Sequence, residues 1–187
     1  AWDGSIATAF AGGSGTKSDP YQIADGAQLA YLASEVNKGN AYKNFYFVLT
    51  ADIDLDNKEW TPIGIDSNAF AGTFDGKGYT ISKISIGTES TPFESDVFGL
   101  FGETSGKISN LNLDTVSIHG VAKADESGYV TGLAGALAGF AGGPIENCHV
   151  VKLNMAMNTP SSGWAAAYWI GGLVGALDGE QYITECS

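Results

Sequence analysis

One short pattern recurs four times along the chain. It reads ISKISI from Ile81, ISNLNL from Ile108, IENCHV from Ile145 and, shortened, ITECS from Ile183. The shared form is Ile-x-x-apolar-x-apolar, at intervals of 27, 37 and 38 residues. A second pattern, Gly-Leu-x-Gly, accompanies it in FGLFG (98–102), TGLAG (131–135) and GGLVG (171–175). Aligned on Gly-Leu, the copies place Gly99, Gly132 and Gly172 in one column, 33 and 40 residues apart. Self-similarity at such a period marks an array whose single units cannot bury their own apolar faces.

The repeat predicts three columns of like side chains. Ile81, Ile108, Ile145 and Ile183 form the first. Ile84, Leu111, Cys148 and Cys186 form the second, and Ile86, Leu113 and Val150 the third. The i, i+2 step between the last two is strand periodicity, and the i, i+3 step before it requires a bulge or bend. Stacked parallel strands about 4.8 Å apart satisfy these constraints. The expected fold is therefore all-β, a parallel right-handed β-helix or β-solenoid, in which glycine serves sharp turns. Leucine-rich repeats are the rival array, but their asparagine ladder and helical backs are not expected here.

Upstream, NFYFVLTADIDL (44–55) alternates as an earlier coil, with Phe47 and Leu49 on one face. Before it, DGAQLAYLASEVNKG (25–39) has helical signals. Asp25 and Gln28 are placed as in a capping box, Gly39 ends the segment, and Leu29, Leu32 and Val36 form one stripe. A short helix there would cover the open end of a strand stack, which otherwise presents unpaired backbone. The other end has no such lid, so a module of a longer protein is expected. The organisation read from sequence is a single domain over 1–187, with the capping region at 20–40, first coils at 44–97 and Gly-Leu-x-Gly repeats at 98–187.

The chain carries a net charge of −12, and its nine basic residues are all Lys. An acidic surface without guanidinium groups disfavours phosphate backbones, so neither nucleic acid nor an anionic membrane is expected as a partner. The most membrane-like stretch, VTGLAGALAGFAGG, is shorter than the roughly 20 apolar residues of a spanning helix, so no membrane insertion is expected.

These residues resemble the GLUG-motif family, named for its Gly-Leu-x-Gly repeat. GSGTKSDPYQI, AQLAYLA, LTADIDL, WTPIG and FAGTFDGKGYTI are similar to segments that precede such repeats in bacterial surface proteins. Modules of this kind occur in adhesin-like proteins and beside immunoglobulin A-cleaving metallopeptidase domains. The resemblance implies an extracellular, non-catalytic surface module, secreted or at the cell surface, and carries over no catalytic residue. The His-Glu-x-x-His zinc motif of those peptidases is absent from this sequence.

Candidate chemistry is sparse. Asp52, Asp54 and Asp56 imitate the start of a calcium loop, but its sixth position is Asn57 and its twelfth Ile63. They read better as outward carboxylates of a solvated strand, with a weak ion as the metal alternative. No cofactor is expected. Cys148 and Cys186 share a column, which suits either a disulfide or a buried apolar stack. His119 and His149 read as surface side chains, with no Ser or Cys nucleophile placed beside them by any motif. Aromatics are more suggestive. Tyr129 and Trp169 share a column in the Gly-Leu alignment, with Trp164 in the adjoining loop. Outward rings on neighbouring coils would form a platform for sugar rings or a protein partner. The expected function is thus an adhesin-like or stalk module that binds glycan or a surface protein. The alternatives are a β-helix polysaccharide-degrading enzyme and a purely structural spacer.

Overall fold

The computed structural model describes residues 1–124, 128–158, 160 and 165–187, with 165–167 as backbone. The protein is mostly β with one helix, and every ladder between its strands is parallel. A ten-stranded sheet contains β1 (Tyr21–Ile23), β2 (Tyr46–Leu49), β3 (Ile53–Asp54), β4 (Thr73–Asp75), β5 (Thr80–Ile86) and β6 (Phe93–Ser95). Two three-stranded sheets begin with β7 (Val97–Phe98) and β8 (Phe101–Thr104). The chain then returns to the large sheet as β9 (Ile108–Ala122). The same circuit repeats through β10 (Tyr129–Ala134), β11 (Ala138–Ala141), β12 (Ile145–Val150) and β13 (Leu153–Asn158). It repeats again through β14 (Ala165–Ile170), β15 (Val174–Leu177) and β16 (Ile183–Thr184). From β7 onward each pass visits the three sheets in the same order and lies in register on the pass before it.

The apolar columns follow from that register. Tyr21, Phe47, Phe74, Ile108, Ile145 and Ile183 stand one above another. Leu111 lies on Cys148 and Leu113 on Val150, as the repeat predicts. The predicted place of Ile81 is corrected. Ile81 pairs with Leu113, and Phe74 takes the position beside Ile108. The reason is that β9 holds the motif twice, as ISNLNL and LDTVSI, and ISKISI matches the second. The i, i+3 step is a bend, as expected. Its pivots, Asn110 (φ 53°), Asn147 (φ 49°) and Glu185 (φ 54°), and Lys83 (φ 55°) with Thr115 (φ 59°), all take left-handed backbone.

The Gly-Leu alignment also needs correction. Ala138 pairs with Phe101 below and Val174 above, so FGLFG and GGLVG match GALAG at 135–139 and not TGLAG at 131–135. Gly132 is a glycine for another reason: a Cβ there would lie 2.5 Å from the Tyr168 ring. WTPIG is the first member of the series, because Ile63 bridges to Phe101. The position that requires glycine is the last one. A Cβ on Gly102 would lie 2.3 Å from the Gly64 carbonyl oxygen, on Gly139 2.9 Å from that of Gly102, and on Gly175 2.7 Å from that of Gly139. The first position tolerates a side chain, since Ala136 occupies it and is buried.

Helix α1 (Gly26–Asn37) connects β1 to β2, at the point in chain order where later passes form strands of the two small sheets. The Asp25 side chain accepts from Gln28 N–H at 2.9 Å and the Gln28 side chain accepts from Ala24 N–H at 2.7 Å, so the two caps reinforce each other. Leu29, Leu32 and Val36 are fully buried. The Asn37 carboxamide accepts from Gly64 and Ile65 N–H and donates to the Pro62 carbonyl, which docks the helix end on the first glycine turn. The opposite end of the stack has no such cover among the described residues. There β13, β14, β15 and β16 each pair on one side only.

Candidate functional site

The bends build a polar ladder on the outside of the large sheet. Asn147 Nδ2–H donates to Asn110 Oδ1 at 2.9 Å, and Asn110 Nδ2–H donates to Asp75 Oδ1 at 3.0 Å. A side-chain amide ladder is thus present, contrary to the sequence expectation. Asparagine suits the position twice, because it tolerates left-handed backbone and carries both a donor and an acceptor along the stack. The third letter of ISNL and IENC was the available signal. Burial pushes the Asp75 carboxyl up, but hydrogen bonds from Asn110 and Lys77 outweigh it and hold the group below its usual range. His149 continues the ladder, with Nε2 3.0 Å from Asn147 Oδ1 and Nδ1 2.7 Å from Ser187 Oγ. A serine therefore does stand beside this histidine, which no motif had indicated. His119 is half-buried, and its Nδ1 has no hydrogen-bond partner among the described residues.

The carboxylates of Asp52 and Asp54 act structurally. Ile53 and Leu55 point inward and are buried, as alternation requires. Asp52 accepts from Thr80 N–H at 2.8 Å, whereas Asp54 accepts from Asp56 N–H at 2.8 Å and pairs with Lys83 at 2.7 Å. The Lys83 hydrogen bond holds the Asp54 carboxyl low and raises the lysine in turn. Among the described residues no three His, Cys, Asp or Glu side chains converge as metal ligands.

The aromatic platform is rearranged relative to its sequence expectation. Tyr129 and Trp169 are both exposed, at 63% and 56%, but they do not share a column. Tyr129 pairs with Ala165, and Trp169 with Leu133, because the true repeat interval here is shorter than the Gly-Leu spacing. Alternation along β10 still turns Tyr129, Thr131 and Leu133 to the outside. The two rings therefore sit on one face, four residues along and one strand across, roughly 14 Å apart at ordinary strand spacings. Trp164 lies outside the described residues. Tyr168 turns inward from the same strand, where its hydroxyl meets Asn158 O and Ala122 N–H.

Beside Tyr129 runs an open groove of about 560 Å³, lined by Asp66, Ser67, Asp96, Lys123 and Thr131. Lys123 Nζ lies 3.7 Å from Asp66 Oδ1. Nearby Glu103 has its carboxyl pushed up by burial and by the charge of Asp96. The groove thus offers an aromatic face, hydroxyls and carboxylates, with one cation. A more apolar hollow of about 450 Å³ lies between the N-terminal segment and α1, against Trp2, Ile6 and Trp60. No helix among the described residues is long and apolar enough to cross a membrane.

No family model matches the chain. Its sequence is 33% identical over 199 aligned positions to "Halomucin" of Haloquadratum walsbyi, covering 99% of this chain and 2% of that protein. It is 34% identical over 149 positions to a "Putative Gly-rich membrane protein" of Evansella cellulosilytica, covering 75% of this chain and 15% of that one. The chain thus spans a small fraction of the curated relatives it matches. Among solved structures, a "putative immunoglobulin A1 protease" from Bacteroides ovatus matches with a TM-score of 0.50 at 23% identity, over 93% of this chain and 66% of that one. At that identity the likeness concerns the fold, and it spans nearly all of the chain.

Proposed function

We propose that the chain is a non-catalytic recognition module of a surface-associated protein, built as a right-handed β-solenoid and binding neutral glycan on the outer face of β10 and β14. The in-register cycling of the chain through three parallel sheets supports the solenoid. The names of the two relatives support a surface setting, and the GLUG-like spacing of the glycines agrees with it. One observation carries the binding reading: two outward aromatic rings, Tyr129 and Trp169, on one face beside a polar groove. Aromatic faces stack on the C–H faces of sugars, and carboxylates such as Asp66 and Asp96 accept sugar hydroxyls. The excess of acidic over basic groups, both in the groove and overall, repels sulfated or sialylated chains. Preformed strands also lose little freedom on contact.

The test is an array of neutral and acidic oligosaccharides, followed by titration calorimetry. Binding to neutral members that Tyr129→Ala and Trp169→Ala each weaken at least tenfold, with unchanged melting temperature, is the expected result. An array without signal removes the glycan-binding reading and leaves a protein-binding surface or a spacer. Turnover of a polysaccharide removes the non-catalytic one. The observation favouring that hydrolase alternative is Glu103, whose carboxyl is pushed up by burial and by the charge of Asp96, so loss of turnover in Glu103→Gln would assign the activity.

A further inference from the structure

The last pass places two thiols in one rung of the large sheet. Ser187 N–H donates to Cys148 O at 3.2 Å and Val150 N–H donates to Ser187 O at 2.7 Å. This is the parallel pattern in which Ser187 lies opposite His149, and it sets Cys186 opposite Cys148. The same rung brings Cys186 Sγ to 3.3 Å from Cys148 N. Both cysteines are free thiols, Cys148 buried and Cys186 half-buried. Directly opposed residues on neighbouring strands have Cα atoms about 4.8 Å apart, inside the roughly 4.4–6.8 Å span of disulfides.

We propose that Cys148 and Cys186 are a disulfide site, oxidised by a low-molecular-weight disulfide to give a clasp that fastens the last pass to the one beneath it. The half-buried Cys186 reacts first. Its thiolate attacks one sulfur of the reagent, the S–S bond breaks, and one reagent thiolate leaves and takes up the proton lost by Cys186. The Cys148 thiolate then attacks the Cys186 sulfur of the mixed disulfide and expels the second reagent thiol. Two protein thiols are oxidised and one disulfide is reduced to two thiols, so electrons and protons balance. Burial pushes the Cys148 thiol up to about 12, which makes the second step the slow one and speeds it as pH rises. The clasp closes across a segment that is otherwise weakly held, since β16 pairs with β12 over two residues. A surface setting favours this oxidation, although the opposition of the two cysteines does not depend on the proposed ligand.

The purified chain is incubated with oxidised glutathione at mildly alkaline pH and analysed by intact mass and non-reducing peptide mapping. The expected product is a monomer lighter by two hydrogens, with a Cys148–Cys186 cross-linked peptide. Slower amide exchange at Val150 and Ser187 is expected in that product, reversed by reductant. Cys186→Ser should resist modification at Cys148 under native conditions. Retention of both free thiols, a stable glutathione adduct at Cys186, or cross-linked dimers would each overturn the clasp. None of these results bears on glycan binding, which is read by the array.

Discussion

Ile108, Ile145 and Ile183 occupy one column and begin near-identical motifs, yet truncating them is expected to cost very different amounts. Ile108 and Ile145 are fully buried with a strand on either side, whereas Ile183 is 41% exposed in a strand paired on one side. Ile→Ala removes the equivalent of three methylenes, about 2.4 kcal/mol of transfer at about 0.8 kcal/mol each. A buried site adds a cavity, which brings the total to roughly 3–4 kcal/mol for Ile108→Ala or Ile145→Ala. At Ile183 part of the side chain already meets water and solvent fills the space left behind, so roughly 1 kcal/mol is expected. Urea unfolding of the three variants, followed by circular dichroism and by tryptophan fluorescence, to which buried Trp60 contributes, measures the differences. Equal losses at the three positions, or the largest loss at Ile183, would refute the stacking argument.

Gly139→Ala is expected to cost roughly 1–3 kcal/mol, because its Cβ would lie 2.5 Å from the Leu133 carbonyl oxygen, while Gly172→Ala, with nothing within 4 Å, should be close to neutral in thermal melts. Asn110→Ala is expected to lose roughly 1–3 kcal/mol by breaking the ladder and keeping left-handed backbone. Asn110→Gly should lose less, and equal losses would remove the backbone part of that account. Glu103 tests the pH dependence. Its folded-state pKa is raised, so stability declines as pH rises from the unfolded pKa through the folded one and stays lowered above. Glu103→Gln should therefore match the parent chain in acid and melt higher at neutral pH. Asp75, whose carboxyl is held low, contributes in the opposite sense: its stabilisation is present at neutral pH and lost as pH falls through its folded value.

The parallel stack was legible because strand columns leave a period-two signature at a fixed offset, and Ile108, Ile145 and Ile183 kept both. The capping helix was legible for a local reason, since Asp25, Gln28 and Gly39 act within one or two turns. The spelling of a motif is a poorer guide than its contacts. Gly132-Leu133 spells the repeat but serves the packing of Tyr168, whereas Ala136-Leu137 breaks the spelling and holds the place. The residue under constraint was the glycine whose neighbour is a carbonyl one pass below, and that contact is invisible in a single copy. Exposure and strand pairing put the Tyr129 and Trp169 rings on the outside, and their mutual register follows the strand pairing and not the spacing of the glycines. The side-chain ladder was missed because the columns were drawn from apolar letters only.

The glycine series Gly64, Gly102, Gly139 and Gly175 has one more consequence. With no side chain between them, successive backbones touch along that corner, and the wall there is one peptide thick. A side chain at this seam must push a backbone aside, whereas the outward positions of β10 meet no such neighbour. Side chains on that outer face can therefore be exchanged without disturbing the backbone contacts behind them.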